Sequence, residues 1–200
     1  MRSATGTWSA QSAVASTCLQ RGPITHAVCA FHKCRIAPCL GVYDHMLNSG
    51  VHAIDTLRWI CGGDVLDVQC VTRRILVPDV NHIMALLSFD NGATGVMMNS
   101  WTSGRRSFRV EMHAPGICAE ADVEGKGILY ADGDVEGREF DTREIAGSGE
   151  RYVYRGFQAK NCEFINCVKI RTQPGSNFQN AVKTMEVAEM ILAQTPLRGD

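Results

Sequence analysis

The stretch from Asp44 to Trp59 constrains the fold of this chain more than any other part of the sequence. Read as a helix, it carries one stripe of apolar residues at spacings of three and four, typical of a side that faces a core: Leu47, Val51, Ile54 and Leu57. A second stripe holds Asn48, His52 and Asp55, with Trp59 one turn further along. Since a carboxamide, an imidazole and a carboxylate are costly to bury together, we expect this polar stripe to line a cleft.

His52 is the chemical centre of the polar stripe. Histidine exchanges protons near neutral pH, and Asp55, one turn along, can orient the imidazole ring or hold its charge. The structural alternatives are a core histidine satisfied by its neighbours and a surface carboxylate that pairs with Arg58. Asn48 also has a structural alternative, because Asn is favoured as the N-cap of a helix.

Length and charge limit the class of protein. The 200 residues suffice for one domain with a hydrophobic core. A net charge of −1 and a pI near 6.6 give no electrostatic footprint for nucleic acid or an anionic membrane. No apolar run approaches a membrane span, and the first residues lack the apolar core of a signal peptide. We therefore expect a cytoplasmic protein that binds neither nucleic acid nor membrane.

The nine cysteines are many for a chain of this size. Without an export signal they are expected to be reduced thiols. A zinc site from Cys29, His32 and Cys34 is an alternative, although the chain has no Cys-x-x-Cys pair of the kind that zinc sites usually use. We assign no metal ligands.

The remaining pattern predicts an α+β domain, a predominantly antiparallel, open-faced sheet with helices packed on one face. Residues 1–20 are expected to be disordered and residues 21–195 to form the domain. The main helix should end at Gly62-Gly63, and Asn91-Gly92 should form a hairpin within a long antiparallel meander. The strands are predicted at Ile24–Phe31, from Val65 onward, at Ile83–Phe89 (a central strand), at Thr94–Trp101, and in the alternating runs that begin at Phe108 and Ile117. Arg105 and Arg106 are predicted to be turn charges, and helices with an apolar side should follow from Phe157.

The residues from Leu47 to Asp55, Leu-Asn-Ser-Gly-Val-His-Ala-Ile-Asp, resemble the substrate-side helix of the glucose–fructose oxidoreductase / inositol dehydrogenase / MocA family. The family pattern is Asp-x-Gly-x-His-x-x-Asp followed by a Gly that ends the helix. Gly50, His52 and Asp55 match this pattern, and Asn48 stands where the family usually has Asp. The resemblance continues through Phe-Asp-Asn-Gly-Ala at residues 89–93 and Glu-Phe-Ile at residues 163–165, and it covers roughly residues 22–193.

The resemblance implies that this chain is the substrate-binding and oligomerisation half of an NAD(P)-dependent oxidoreductase. The enzyme would act on the hydroxyl or carbonyl group of a sugar, polyol or related small molecule. His52 would transfer the proton or bind the reacting hydroxyl, Asp55 would orient His52 or the substrate, and Asn48 would hydrogen-bond a substrate hydroxyl. These three side chains should open onto one side of a partly exposed groove.

The resemblance also implies NAD or NADP, held by a domain that this chain is expected to lack. No G-x-G-x-x-G follows a strand, and the Glu-Lys-Pro motif implied for the other half does not occur. We therefore expect the isolated chain to be inactive and to bind no NAD(P)(H). Two other interpretations stay open, a non-catalytic binding or dimerisation module derived from such an enzyme, and a small metal-binding protein.

An open sheet face predicts self-association. The predicted strands Ile83–Phe89 and Thr94–Trp101 are too apolar for a face left in water, and exposed apolar patches usually mark interaction sites. The family resemblance likewise implies pairing through that face. We expect a homodimer built sheet against sheet, with two-fold symmetry. Its interface should include Met84, Leu86, Met97 or Trp101, whichever set points away from the helices.

Overall fold

The computed structural model describes residues 9–37, 42–122 and 125–195. In this part of the chain, eight strands form a single sheet. The strands are β1 (His26–Cys34), β2 (Val65–Arg73), β3 (His82–Phe89), β4 (Thr94–Ser100), β5 (Thr102–Ala114), β6 (Ile117–Asp122), β7 (Lys126–Ala131) and β8 (Arg138–Asp141). The helices are α1 (Ser9–Arg21), α2 (Val42–His45), a π-helical turn (Met46–Gly50), α3 (Val51–Cys61), α4 (Thr142–Ala146), α5 (Arg151–Tyr154), α6 (Phe157–Ile170) and α7 (Phe178–Ala193).

The strand order is β2-β3-β4-β1-β5-β6-β7-β8. β1 runs parallel to β4 and antiparallel to β5, and every other neighbouring pair is antiparallel. The predicted α+β class and predominantly antiparallel open sheet are confirmed. The predicted meander is interrupted, because the first strand of the chain lies between β4 and β5. β3 is second from one edge of the sheet and not central, and its residues alternate between a buried and an exposed face.

The strands alternate between a helix-covered face and an open face. In β3, Ile83 and Leu87 are fully buried under the helices, whereas Met84 and Leu86 point to the other face and are 42% and 41% exposed. The β3–β4 hairpin turns at Gly92, whose φ of 83° is a conformation that glycine adopts without strain. The predicted Asn-Gly turn is therefore confirmed.

This alternation decides which residues could form an interface between subunits. Met84 and Leu86 lie on the open face, as one half of the predicted set requires. Met97 and Trp101 are fully buried, so the set that points away from the helices is Met84 and Leu86. Trp101 follows β4 directly and lies on the same buried side as Met97 and Asn99, as strand alternation predicts.

The N-terminal segment differs from the expectation of disorder over residues 1–20. Residues Ser9–Arg21 form helix α1, which packs against β5, β6 and β7. Ala15 and Cys18 are buried in this contact. Because their side chains are small, the helix can pack closely against the sheet without large apolar residues at helical spacing. The first eight residues lie outside the described part of the chain.

The two C-terminal helices behave differently. α7 packs on α3 and β2 through Thr184, Val187, Ala188 and Ile191. It begins at the capping residue Asn177, whose side chain accepts a hydrogen bond from the backbone N–H of Asn180. α6 buries none of its residues, and its apolar side, including Phe164 and Val168, faces outward. No helix in the described ranges combines the length and apolar character that crossing a membrane requires.

Candidate functional site

A π-helical turn joins the two parts of the predicted helix. α2 passes into the turn Met46–Gly50, and α3 then continues to Cys61. Gly50 permits this packing, since a β-carbon there would overlap Sδ of the buried Met46. The helix ends at Gly62, in the left-handed conformation at φ 77°, with its N–H donating to the Arg58 carbonyl over 3.0 Å. The predicted end of the helix is confirmed, and π-helical turns of this kind occur frequently at functional sites.

The predicted polar stripe faces solvent. Asn48, His52 and Asp55 are all exposed, on a different side of the helix from the buried Ile54 and Leu57. His52 is therefore not a core histidine. Its ring meets the ring of Phe31 edge-on, with the centroids 6.0 Å apart. Partial burial, and then the positive charge of Lys33, lower the pKa of His52; the charge of Asp55 opposes this shift and that of Arg106 reinforces it. This shift favours the neutral, proton-accepting form of the imidazole.

Asn48 is held within the π-helical turn. Its side-chain amide donates to the backbone carbonyl of Asp44 over 3.0 Å and also to the Asp44 carboxylate. Its own backbone carbonyl accepts a hydrogen bond from Nζ of Lys33 over 3.1 Å. Asn48 therefore does not act as an N-cap, and it connects β1 with the helix that carries His52.

Asp55 belongs to a network that joins α3 to α7. Oγ1 of Thr184 donates to Asp55 Oδ1 over 3.0 Å, and Nη1 of Arg58 lies 3.9 Å from the same oxygen. Arg58 is buried and donates to Thr184 Oγ1 over 2.8 Å and to the Asn180 carbonyl over 3.0 Å. The alternative of a carboxylate near Arg58 is thus realised, and the same carboxylate still exerts its charge on His52.

Three side chains outside the helix complete the surroundings of His52. Phe31 and Lys33 come from β1, two residues apart and so on the same face of the strand, with Nζ of Lys33 5.3 Å from the Phe31 ring centroid. Cζ of Arg106 lies 5.2 Å from that same centroid. Arg105 and Arg106 lie within β5, so the prediction that both are turn charges was wrong. The sequence could predict that Phe31 and Lys33 share one face of a strand, but it could not predict that this strand lies beside the helix of His52.

A buried polar cluster lies directly behind this surface. Nε2 of His45 is 2.6 Å from Oδ1 of Asn99, and Nε1 of Trp101 donates to Oγ of Ser49 over 2.9 Å. The rings of His45 and Trp101 are 4.7 Å apart. Burial lowers the pKa of His45 to about 4, so the ring is neutral. The core histidine considered for His52 is therefore found at His45, in helix α2.

The described residues hold no group of three or more His, Cys, Asp and Glu able to bind a metal ion. Cys29 is buried and Cys34 exposed, at positions of β1 separated by a register shift, and they do not converge with His32. All eight cysteines in the described ranges are free thiols, and Cys39 lies outside those ranges. The interpretation as a small metal-binding protein thus gains no support.

Two Gly-x-Gly segments, residues 125–127 and 147–149, do not form a site for a dinucleotide diphosphate. Such a group needs backbone N–H donors at the start of a long helix. Gly125 lies in the connection between β6 and β7, and Gly147 ends the short α4 in the left-handed conformation. Neither precedes a helix of the required kind, since α5, the next helix after Gly147, has four residues.

Part of the chain matches a known family of protein domains. Residues 42–115, which contain the site helix and strands β2 to β5, match the model of the GFO/IDH/MocA C-terminal domain. No curated protein matches the chain in sequence.

Several solved structures share the fold. A dehydrogenase (MviM) from Clostridium difficile superposes with a TM-score of 0.76 at 16% identity, over 96% of this chain and 60% of that one. A dehydrogenase from Chromobacterium violaceum gives 0.77 at 16% identity, over 92% and 57%. An aldose-aldose oxidoreductase from Caulobacter crescentus, complexed with glycerol, gives 0.71 at 14% identity, over 92% and 58%. This chain thus spans at most about three fifths of the length of these relatives.

Proposed function

We propose, from the premise that residues 42–115 carry a GFO/IDH/MocA C-terminal domain, that this chain forms the substrate side of an NAD(P)-dependent oxidoreductase. Its substrate is a sugar, polyol or related small molecule that reacts at a hydroxyl or carbonyl. The observation that carries the proposal is the solvent-facing His52 on the matched helix, with its pKa lowered by burial and by Lys33. A neutral, accessible imidazole can accept the proton of a hydroxyl that is being oxidised, or return it in the reverse direction.

The roles of the neighbouring residues follow from their contacts. Asp55 is fixed by Thr184, and its charge acts on His52, so it is a positioning residue for the imidazole. Asn48 presents an exposed carboxamide next to the same surface and can hydrogen-bond a substrate hydroxyl. NAD or NADP, as the redox partner of such a reaction, would bind outside the residues described here, and we assign it no residues of this chain.

The names of structurally similar proteins suggest which substrates to test. The Caulobacter crescentus relative is named for aldoses, and another solved structure of the same fold is a UDP-N-acetylglucosamine 3-dehydrogenase from Acidithiobacillus ferrooxidans, with 14% identity. A third, an oxidoreductase from Agrobacterium radiobacter, is described in complex with NAD⁺, L-tartaric acid and magnesium. Hydroxylated small molecules are therefore the substrates to screen first.

The test supplies the chain with a dinucleotide-binding half taken from one of these relatives and measures NAD(P)H formation with a panel of polyols and aldoses. We expect activity only in the combined protein, with no saturable NAD(P)H fluorescence change for this chain alone. His52→Ala should then lower kcat by about 10²–10⁴-fold, the usual loss when acid–base assistance is removed. His113→Ala is the control, because His113 lies at the opposite end of β1, stacked on His26. Turnover that is unchanged in His52→Ala would exclude His52 from the mechanism.

The alternative, a non-catalytic binding or dimerisation module, is favoured by one observation. The polar groups of Asn48 and Asp55 already hydrogen-bond within the protein, to Asp44 and Thr184. In that case the combined protein would bind a sugar or polyol without turning it over. His52→Ala would then change the dissociation constant and no rate.

A further inference from the structure

The open face of the sheet carries its side chains in rows that run across neighbouring strands. The two central rows hold mainly apolar side chains. The first row consists of Val71, Met84, Met98, Ala30 and Arg109, on β2, β3, β4, β1 and β5 in that order. The second row, two residues along each strand, consists of Gln69, Leu86, Val96, Val28 and Glu111. Because Val71, Met84 and Leu86 are exposed in the single chain, this apolar centre is accessible to a partner.

A polar row lies on each side of this apolar centre, and the two rows differ in charge on β2. The row beyond Val71 consists of Arg73, His82, Ser100, His32 and Ser107. The row beyond Gln69 consists of Asp67, Ser88, Thr94, His26 and His113. β2 therefore carries an exposed arginine at one end of the open face and an exposed aspartate at the other. On β5, Arg109 and Glu111 follow each other in the same direction within the central rows.

We propose that the open face binds a second copy of this chain, with the two-fold axis running across the strands between the two apolar rows. Such an axis places each strand over the same strand of the partner and reverses the order of the rows. Arg73 then lies opposite the partner's Asp67, and Met84 lies opposite the partner's Leu86. The symmetry makes every such contact twice. This arrangement goes beyond the proposed oxidoreductase function and does not depend on it.

An axis parallel to the strands gives a poorer match. If that axis ran along β4, β2 would lie over the partner's β5, and Val71 would lie opposite the partner's Arg109. Burying a guanidinium against an aliphatic side chain is costly. The axis across the strands instead places Arg109 opposite the partner's Glu111. Glu111 already contacts His113, whose Nε2 lies 2.7 Å from Oε1 of Glu111, so Arg73 and Asp67 are the pair on which to test the arrangement.

The contact is expected to cover the strands from β2 to β5. On β6 the two central rows hold Asp122 and Glu120, which would face each other across the interface, and facing carboxylates are unfavourable. Five strands about 4.8 Å apart, with four rows of side chains about 6.7 Å apart, cover roughly 650 Å² per copy. A standard interface buries roughly 800 Å² per partner, so this face is close to sufficient for a stable dimer. Packed sheets cross at about 30°, and the long side chain of Arg73 can span the displacement that this crossing produces at β2.

The test measures the dissociation constant of the dimer of the full chain by sedimentation velocity over a dilution series. Asp67→Arg places an arginine opposite the partner's Arg73, and Arg73→Asp places an aspartate opposite the partner's Asp67. Each should raise the dissociation constant about tenfold or more, because like charges facing each other are costly and the symmetry repeats the contact. Added salt should reduce this effect, since salt screens charges. The double variant carrying both substitutions restores opposite charges and should return the dissociation constant to within about threefold of that of the wild type.

Glu186→Arg is the matched control. It makes the same change of charge as Asp67→Arg at an exposed position of α7, which packs on the helix-covered face, and it should leave the dissociation constant unchanged. Equal effects of Glu186→Arg and Asp67→Arg would reveal a general effect of net charge and overturn the arrangement. Arg73 and Asp67 are both exposed, so the two single variants should fold, which circular dichroism checks.

Three other outcomes would also overturn the arrangement. Single variants that dimerise like the wild type would show that the two charges do not face each other. A double variant as weak as the single variants would show that the axis does not run across the strands. A wild-type chain that stays monomeric throughout the dilution series would leave the open face to a different partner. None of these outcomes bears on the oxidoreductase proposal, which the activity measurement decides.

Discussion

A buried imidazole at position 45 makes the stability of this domain depend on pH. His45 is fully buried, with Nε2 2.6 Å from Asn99 Oδ1, and burial lowers its pKa from 6.5 to about 4. Between these two values the unfolded chain binds a proton that the folded chain does not, so the free energy of unfolding falls as the pH falls. His45 contributes up to about 3 kcal/mol to the free energy of unfolding. This contribution is fully present above pH 6.5 and is lost as the pH falls toward about 4.

We expect urea denaturation to give a lower free energy of unfolding at about pH 5 than at about pH 7. In His45→Gln, which keeps a side-chain donor near Asn99, the difference between the two pH values should be much smaller. Some pH dependence should remain, because burial also lowers the pKa of His32, His52 and His82. A variant whose stability depends on pH as strongly as that of the wild type would contradict this assignment.

At the scale of elements, one hydroxyl joins the site helix to the last helix. Thr184 donates to Asp55 and accepts from the buried Arg58, so it serves both a carboxylate and a guanidinium. Thr184→Val keeps the shape and removes both hydrogen bonds, and we expect a loss of about 1–3 kcal/mol in the free energy of unfolding. Thr172→Val, at an exposed position after α6, should change stability little. Equal effects of the two substitutions in urea denaturation would show that the α3–α7 network contributes nothing.

How far the sequence determines such elements depends on the size and spacing of the residues that each one buries. α3 could be predicted because Ile54 and Leu57 repeat at helical spacing and Gly62 ends the helix. α1 could not, because it packs through small residues such as Ala15 and Cys18. α6 also has apolar residues along one side but buries none of its residues, so an apolar side alone does not say what a helix packs against.

The candidate site divides in the same way. Asn48, His52 and Asp55 could be grouped from the sequence because helical spacing predicts which residues share a side. Lys33 and Arg106 were missed because they reach His52 from β1 and β5. Their proximity depends on strand pairing between residues far apart in the chain, which local pattern does not specify. The π-helical turn also escaped prediction, since its extra residue is set by packing around Met46 and Gly50.

For the whole molecule, the open sheet face supports the proposal of a homodimer. Met84 and Leu86 on β3 and Val71 on β2 are exposed on that face and adjacent in the strand register. We expect light scattering at micromolar concentration to give the mass of a dimer. Leu86→Glu should give a monomer, since a buried, unpaired carboxylate at the interface is costly. Val135→Glu adds the same charge in the connection between β7 and β8 and should leave the dimer intact. A wild-type chain that scatters as a monomer would contradict this proposal.

The place of β1 has a consequence for how the chain folds. β2, β3 and β4 follow one another in the sheet as they do in the sequence, and so do β5 to β8, but β4 and β5 are separated by β1. Each of these two groups can form through contacts between segments that are neighbours in the chain. Joining the two groups requires β1 to pair with both β4 and β5, and each of these pairings closes a long loop. Contacts that close long loops are slow to form. We therefore expect the two groups of strands to collapse early and β1 to dock late, after which the backbone amides of β1 become among the slowest in the domain to exchange with solvent.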